Sequence, residues 1–211
     1  MDAPRAATTP ASYATRIART LLSRKVHRFL IEHYLHGKPY PFSVTLNVTT
    51  GCNLACAYCS IPRGPREEPP LDLLVRLVQA LGDRTIHWNL TGGEPLLRED
   101  LGELVAAIQA LPGLTYLTMF TNGKLVRARR DVMARVDEAF ISLDGGREHH
   151  DRRRGPGAFD GALDAMACLA ELGKAYSATC VVTRGTEREL DFLFDHATRH
   201  GYKIGFIPVR L

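Results

Sequence analysis

Short apolar strands alternate with amphipathic helices from residue 42 to residue 211, and this order limits the fold more than any other feature. The segments with strand character are 42–50, 84–90, 115–122, 138–144, 176–183 and 203–211. The segments with helical spacing are 71–81, 100–111, 129–136, 158–173 and 189–200. Strands that are separated by helices pair in parallel through right-handed crossovers. We therefore predict an α/β fold, a partial (β/α)6 TIM-like barrel whose final helix is missing, with its chemistry at the carboxyl ends of the strands.

The composition excludes several classes of protein. The 211 residues are 45% hydrophobic and 24% charged, which is typical of a globular domain and excludes collagen-like and disordered chains. No apolar run reaches the roughly 20 residues that span a bilayer. A net charge of +4 is too small and too dispersed to indicate nucleic-acid binding. Because no secretory signal is present, we expect a cytoplasmic protein with no nucleic-acid partner.

The first 40 residues differ from the rest of the chain. We predict a disordered tail over 1–12 and an amphipathic helix over 13–35, and we expect that helix to pack on the domain formed by 41–211. Contact of its basic face with a membrane surface is the alternative. A second basic run, Arg147–Arg154, is interpreted as a solvated face or loop.

Three of the five cysteines, Cys52, Cys56 and Cys59, follow the first strand with the spacing C-x3-C-x2-C. The absence of a secretory signal argues against a disulfide framework, whereas three thiolates so close together can bind one metal centre. Structural zinc takes four ligands, and the sequence has no second cysteine pair, so zinc would need an unidentified fourth ligand. A 4Fe–4S cluster can be held by three cysteines, which leaves one iron open to a substrate or cofactor. The spacing alone leaves both metals open.

A second motif, LTGGEPLL at 90–97, follows the second strand. Gly92 and Gly93 let the backbone approach a ligand closely, and Pro95 stiffens the turn. Glu94 places a negative charge at the same end of the sheet as the cysteines. This turn therefore suits an ammonium group, and a surface turn carboxylate is the plainer alternative for Glu94.

The two motifs together resemble those of the radical S-adenosylmethionine (SAM) superfamily, in the branch that contains molybdopterin cyclases and peptide maturases. The resemblance covers residues 42–211 and implies that 41–211 form a radical SAM core domain. It implies that Cys52, Cys56 and Cys59 hold a 4Fe–4S cluster whose open iron binds SAM. Reductive cleavage of SAM would then give a 5′-deoxyadenosyl radical, which abstracts hydrogen from an unidentified substrate.

The resemblance also assigns the contacts to SAM: the methionyl amino group to Gly92, Gly93 and Glu94, the adenine to Tyr58, the ribose to Ser142 and Asp144, and the carboxylate to Arg154. A planar guanidinium suits a carboxylate because it can donate two parallel hydrogen bonds. Turn formation at a strand end is the alternative for Ser142 and Asp144. A solvated loop charge is the alternative for Arg154.

Several functional alternatives remain open at this point. A catalytically silent iron–sulfur or SAM-binding module for electron transfer is the non-enzyme hypothesis, although an electron carrier needs no ammonium pocket. Among enzymes, a compact small-molecule synthase competes with a peptide-modifying maturase, and a truncated longer enzyme competes with a minimal core. The expected partners are a small-molecule or peptide substrate and an electron donor such as flavodoxin or ferredoxin. Cys168 and Cys180 lie among apolar residues, so we expect them in the core rather than on a second cluster.

Overall fold

The computed structural model describes residues 23–61 and 66–208, and its six strands form one parallel sheet in the order β1-β2-β3-β4-β5-β6. The strands are β1 (Ser43–Asn47), β2 (His87–Thr91), β3 (Tyr116–Thr121), β4 (Glu138–Ser142), β5 (Ala175–Val182) and β6 (Lys203–Pro208). Each strand pairs with the next one along the chain, and no pairing within the described ranges joins β1 to β6. The predicted α/β architecture, a partial barrel of parallel strands, is confirmed.

The helices of the described residues are α1 (Arg24–Phe29), α2 (Leu71–Leu81), α3 (Leu101–Gln109), α4 (Arg130–Met133), α5 (Arg147–Arg154), α6 (Ala158–Glu171) and α7 (Leu190–His200). The glycines that follow α6 and α7, Gly173 and Gly201, have φ of +64° and +70°. Glycine takes this left-handed conformation readily, so both helices end where the sequence predicts. The helix predicted over 129–136 is only the single turn α4.

The interpretation of the basic run before residue 155 as a solvated face or loop is wrong for one side of α5. Arg147 and Arg152 are exposed, but His149, His150 and Arg154 are buried. His150 and Arg154 bond to Asp144 at the end of β4, and His149 lies 3.4 Å from the Glu189 carboxylate. Composition alone does not reveal those partners.

The segment before β1 packs at the amino-terminal side of the sheet. Helix α1 continues into a π-helical stretch, Leu30–Leu35, while residues 1–22 of the predicted tail and helix lie outside the described ranges. Lys25 is buried, and its Nζ donates to the carbonyl oxygen of Thr85 at 3.1 Å. The Phe29 ring lies 4.6 Å from the Phe42 ring. No described helix is both long enough and apolar enough to cross a membrane.

The two faces of the sheet have opposite character because alternate residues of a strand point to opposite sides. One face carries the core, where strand residues such as Trp88, Leu90, Met119 and Ile141 have no exposed surface. The other face carries polar side chains towards the amino-terminal ends of β1 to β5. These are Ser43, Thr45, His87, Asn89, Tyr116, Thr118, Glu138 and Ser177, and we call this polar face the inner wall. Parallel sheets are usually apolar on both faces, so a polar face suits contact with water or a polar ligand.

Arg98 is a buried arginine that hydrogen-bonds two separate loops at the carboxyl end of the sheet. Its side chain is 2% exposed, and Nη1 donates to the carbonyl oxygens of Val48 and Pro69, both at 2.9 Å. Its Nε and Nη2 bond to the carboxylate of Asp100. The residue therefore joins the chain after β1 to the chain before α2.

We expect Arg98→Met to lower the free energy of unfolding by about 2–4 kcal/mol, because it leaves buried carbonyl oxygens without donors. Urea denaturation followed by circular dichroism measures the change. Arg127→Met is the matched control, since Arg127 is 43% exposed and solvent screens its pairs with Asp164 and Glu171, so the loss of stability should be much smaller. Equal losses in the two variants would show that Arg98 is an ordinary surface cation.

Candidate cofactor site

The three motif cysteines lie on one loop at the carboxyl end of β1. Cys52 and Cys59 are exposed, Cys56 is half-buried, and all three thiols are free. They line one open cleft with an empty volume of about 740 Å³. Burial raises the pKa of the Cys56 thiol, and the nearby Arg154 charge opposes that rise. The exposure of two thiols rules out plain core cysteines for this motif.

A zinc ion and an iron–sulfur cluster require different arrangements of thiolates. As placed in residues 23–61 and 66–208, no three His, Cys, Asp or Glu side chains stand closely enough to hold one metal ion. A 4Fe–4S cluster is a larger body, so its thiolates stand further apart than the ligands of one zinc ion. Three free thiols on one cleft fit the donor set of such a cluster.

The glycine pair after β2 is packed directly against the chain that leads into the cysteine loop. Gly93 N donates to Thr49 O and Glu94 N donates to Gly51 O, both at 2.8 Å. A Cβ on Gly93 would lie 2.1 Å from Gly51 O, and a Cβ on Gly92, whose φ is +151°, would lie 2.3 Å from Thr49 O. Only glycine permits this approach, and we call the resulting contact of 49–51 with 92–94 the backbone seam.

Glu94 lies behind the cleft and not on its surface. It has no exposed surface and accepts hydrogen bonds from Thr121 Oγ1 and Asn122 N, both at 2.8 Å, and from Leu96 N at 3.2 Å. Burial raises the pKa of its carboxyl, and the three donors oppose that rise. The surface-turn alternative for Glu94 is therefore wrong. Asn122 in turn donates to Asn53 Oδ1 at 2.7 Å, which joins the end of β3 to the cysteine loop.

Asp144 is the centre of a second buried network, at the end of β4. Its Oδ2 accepts from Arg154 Nε at 2.7 Å and from Tyr58 Oη at 2.6 Å. Its Oδ1 accepts from Arg154 Nη2 at 3.0 Å and from Val181 N at 2.9 Å. Burial raises the pKa of Asp144, but the Arg154 charge and these hydrogen bonds outweigh burial and lower it overall. Arg154 is only 6% exposed, so the interpretation of its charge as solvated is wrong.

His150, on the buried side of α5, supports Asp144 from behind. Its Nδ1 accepts from the backbone N–H of Asp144 at 2.9 Å, which places the imidazole proton on Nε2. Burial, and then the Arg154 charge, lower the pKa of His150 to about 4. The neutral imidazole therefore fixes the backbone that carries the Asp144 carboxylate.

The structure brings the predicted site residues to one end of the sheet, in two layers. Those that line the cleft are Cys52, Cys56, Tyr58, Cys59, Gly92, Gly93, Ser142 and Arg154. Glu94 and Asp144 lie behind this lining with no exposed surface. In this arrangement the two carboxylates hold the lining in place, and their direct contact with SAM stays a prediction.

The sequence gives only a weak signal for one residue that supports the site, Asn122, and none for another, His150. Asn122 follows β3 in an FTNG turn, a position that indicates the active-site end but fits a turn former equally well. His150 lies in a basic run that gives no sign of burial. Cys168 and Cys180 are fully buried in α6 and β5, as their apolar neighbours predict.

The inner wall carries a hydrogen-bonded chain that sequence reasoning missed. Ser43 Oγ and Thr118 Oγ1 each lie 2.8 Å from a ring nitrogen of His87, and Thr118 Oγ1 donates to Asn89 Oδ1 at 3.0 Å. Polar residues at every second position in β1 and β2 are the signal that predicts a polar face.

A second group on the inner wall is centred on Glu138. Its carboxylate accepts from Tyr116 Oη and from Ser177 Oγ, both at 2.7 Å. Above it, the rings of Phe120 and Phe140 stack with centroids 4.8 Å apart. The wall below the cleft therefore offers both polar and aromatic surface.

Comparison with known proteins identifies the class. The model of the Radical SAM superfamily matches residues 46–196. The chain belongs to the radical SAM superfamily, whose enzymes use SAM and a 4Fe–4S cluster.

Two curated relatives show which enzymes of the superfamily this chain resembles in sequence. The chain is 36% identical to the mycofactocin maturase MftC of Mycobacterium ulcerans over 193 residues, 86% of this chain and 51% of MftC. It is 40% identical to the GTP 3',8-cyclase of Stenotrophomonas maltophilia over 188 residues, 82% of this chain and 56% of the cyclase. The chain thus spans about half the length of these curated relatives.

Solved structures agree on the fold. Streptococcus suis SuiB bound to S-adenosylmethionine superimposes with a TM-score of 0.73 at 17% identity, covering 97% of this chain and 48% of SuiB. SuiB bound to its precursor peptide SuiA gives a TM-score of 0.70 at 18% identity, covering 89% of this chain and 44% of SuiB.

We expect Gly93→Ala to lower the free energy of unfolding by about 1–3 kcal/mol, because its Cβ overlaps a backbone oxygen that no side-chain rotation can move. The same variant should retain less iron per chain after anaerobic reconstitution, since the seam fixes the start of the cysteine loop. Urea denaturation and iron analysis measure the two effects.

Gly102→Ala is the matched control for that change. Its Cβ would meet only Val132 Cγ2 at 3.9 Å, inside helix α3, so the substitution should stabilise the protein by about 0.5–1 kcal/mol. If Gly93→Ala behaved like Gly102→Ala, the close contact at the seam would be refuted.

The low pKa of His150 predicts a loss of stability in mild acid. The unfolded imidazole takes up a proton near pH 6.5, whereas the folded one does so near pH 4, so falling pH favours the unfolded chain across that window. This residue should cost about 2 kcal/mol of stability between pH 7 and pH 5. His150→Asn keeps an acceptor for Asp144 N and should lose that part of the pH dependence in urea titrations. An unchanged pH dependence in the variant would contradict the assignment.

Proposed function

We propose that this chain provides the part of a radical SAM enzyme that binds the cluster and SAM and generates the reacting radical. The observation that carries the proposal is that the three thiols, the glycine pair and Arg154 line one cleft. When bound, the cluster and SAM supply a 5′-deoxyadenosyl radical that removes hydrogen from a substrate.

The residues of the chain then have separate tasks. We assign Cys52, Cys56 and Cys59 as the thiolate ligands of the cluster. The backbone of Gly92 and Gly93 would receive the methionyl ammonium, with the buried Glu94 carboxylate holding that turn and adding negative potential behind it.

The opposite side of the cleft would hold the rest of SAM. Arg154 uses Nε and Nη2 for Asp144, and its side chain lines the cleft, which suits it to receive the methionyl carboxylate. We place the ribose near Ser142 and Asp144 and the adenine near Tyr58. Since both oxygens of Asp144 already accept hydrogen bonds, its main task would be to orient Arg154 and Tyr58.

We infer that the substrate is a peptide. MftC is named a maturase, and SuiB has been solved with a precursor peptide, which supports this class. The inner wall offers polar side chains that an extended backbone can contact, since Ser43 and Thr45 are exposed and His87 and Glu138 are half-buried. A small molecule is the second candidate, favoured by the identity to the GTP 3',8-cyclase.

The proposed cofactor also indicates the cell compartment and the electron donor. Exposed thiolates and a cluster are oxygen-sensitive, so we place the protein in a reducing cytoplasm. A small redox protein such as flavodoxin or ferredoxin is the expected electron donor, because Cys52 and Cys59 lie at the surface where such a partner can approach.

The anaerobically reconstituted protein should cleave SAM under a strong reductant, giving 5′-deoxyadenosine and methionine in amounts measurable by liquid chromatography. Cys56→Ala should lose both the cluster absorbance and the cleavage. Cys168→Ala, which changes a buried thiol away from the cleft, should keep both. If the parent protein bound iron and SAM but formed no 5′-deoxyadenosine, the non-enzyme alternative would hold.

The same assay separates the two substrate classes. Adding GTP should leave the yield of 5′-deoxyadenosine unchanged if the substrate is a peptide. A GTP-dependent increase, with consumption of GTP, would instead favour the small-molecule alternative.

A further inference from the structure

Tyr58 links the cysteine loop to a distant part of the chain. It lies between Cys56 and Cys59, yet its hydroxyl donates to Asp144 Oδ2 at 2.6 Å, across 86 positions of sequence. A phenylalanine would present the same apolar surface to adenine without this hydrogen bond. The hydroxyl therefore has a task that the ring does not perform.

The same carboxylate oxygen also accepts from Arg154 Nε at 2.7 Å. Tyr58, on the loop that carries the cysteines, and Arg154, at the end of helix α5, thus meet at one atom, and the Arg154 guanidinium also lies 5.5 Å from the centre of the Tyr58 ring. Asp144 has no exposed surface, and Val181 N fixes its other oxygen from β5. Hydrogen bonds to a buried charged group are among the stronger ones, so this junction is rigid.

Helix α5 holds the loop by a second, independent contact. Ala57 N donates to Arg153 O at 2.8 Å, and the Arg153 guanidinium lies 5.2 Å from the centre of the Tyr58 ring. Both contacts persist when the hydroxyl is removed. The Tyr58 hydroxyl can therefore be tested without releasing the loop.

We propose that Tyr58, Asp144 and Arg154 form a latch that fixes the distance between the cluster loop and the residue that receives the SAM carboxylate. Tyr58 is thus a positioning residue, which acts through Asp144 on Arg154. This inference rests on the proposed function. SAM would be held by the cluster on the cysteine loop and by Arg154 on helix α5, so a looser junction between the loop and the helix weakens its binding.

The test compares the cluster-loaded 211-residue chain with its Tyr58→Phe variant, using SAM itself as the probe. We expect unchanged iron content, about five- to twentyfold weaker equilibrium binding of SAM, and a smaller SAM-induced change in the electron paramagnetic resonance spectrum of the reduced cluster. Without SAM, backbone amides in 52–61 should exchange hydrogen faster in the variant. A general loss of stability would not produce this combination.

Tyr202→Phe is the matched control. It removes a similar bond, between Tyr202 Oη and His196 Nδ1 at 2.6 Å, away from the cleft and the inner wall, and it should leave SAM binding and the spectrum unchanged. Equal SAM affinity and equal exchange in the parent and Tyr58→Phe would overturn the latch. If the parent protein itself bound no cluster or no SAM, the proposed function would fail instead.

Discussion

The backbone seam between 49–51 and 92–94 is the contact on which the rest of the site depends. Two chain segments approach so closely that a Cβ on either Gly92 or Gly93 would overlap a carbonyl oxygen. Hydrogen bonds from Gly93 N and Glu94 N fix the direction in which the chain leaves β1. The cysteine loop begins immediately afterwards, so the seam sets the position of Cys52. Because these contacts are between backbone atoms, they tolerate little adjustment.

Two buried carboxylates, Glu94 at the seam and Asp144 after β4, each accept several hydrogen bonds. Glu94 accepts three donors, and Asp144 accepts four. Each carboxylate joins strands that are neighbours in the sheet: Glu94 connects β2 to β3, and Asp144 connects β4 to β5 and to the cysteine loop. A charge without such partners would be expensive to bury, so their networks must form together with the fold. The site is therefore preorganised by electrostatic contacts as well as by packing.

Sequence reasoning predicts the parts of this protein that depend on periodicity and local motifs. The six parallel strands follow from alternating segments, and Gly173 and Gly201 mark helix ends correctly. The two local motifs also predict that the three cysteines and the glycine pair lie together at one end of the sheet, where the structure places them. These features depend on residues that are near one another in sequence.

The remaining features depend on contacts between distant residues. The burial of Arg154 cannot be predicted from a run of arginines, because it depends on the hydrogen bonds that Arg154 and Tyr58 both donate to Asp144. Glu94 is predicted to face the ligand, yet its partners on β3 place it behind the cleft. The polar inner wall is visible in sequence only as a weak alternation.

The cluster and SAM assignments can be seen directly in an anaerobic crystal structure of the chain with both bound. We expect a 4Fe–4S cluster on Cys52, Cys56 and Cys59, the methionyl carboxylate of SAM at Arg154, and an intact hydrogen bond from Gly93 N to Thr49 O. A cluster on other ligands, or SAM bound away from the glycine pair and Arg154, would contradict these assignments.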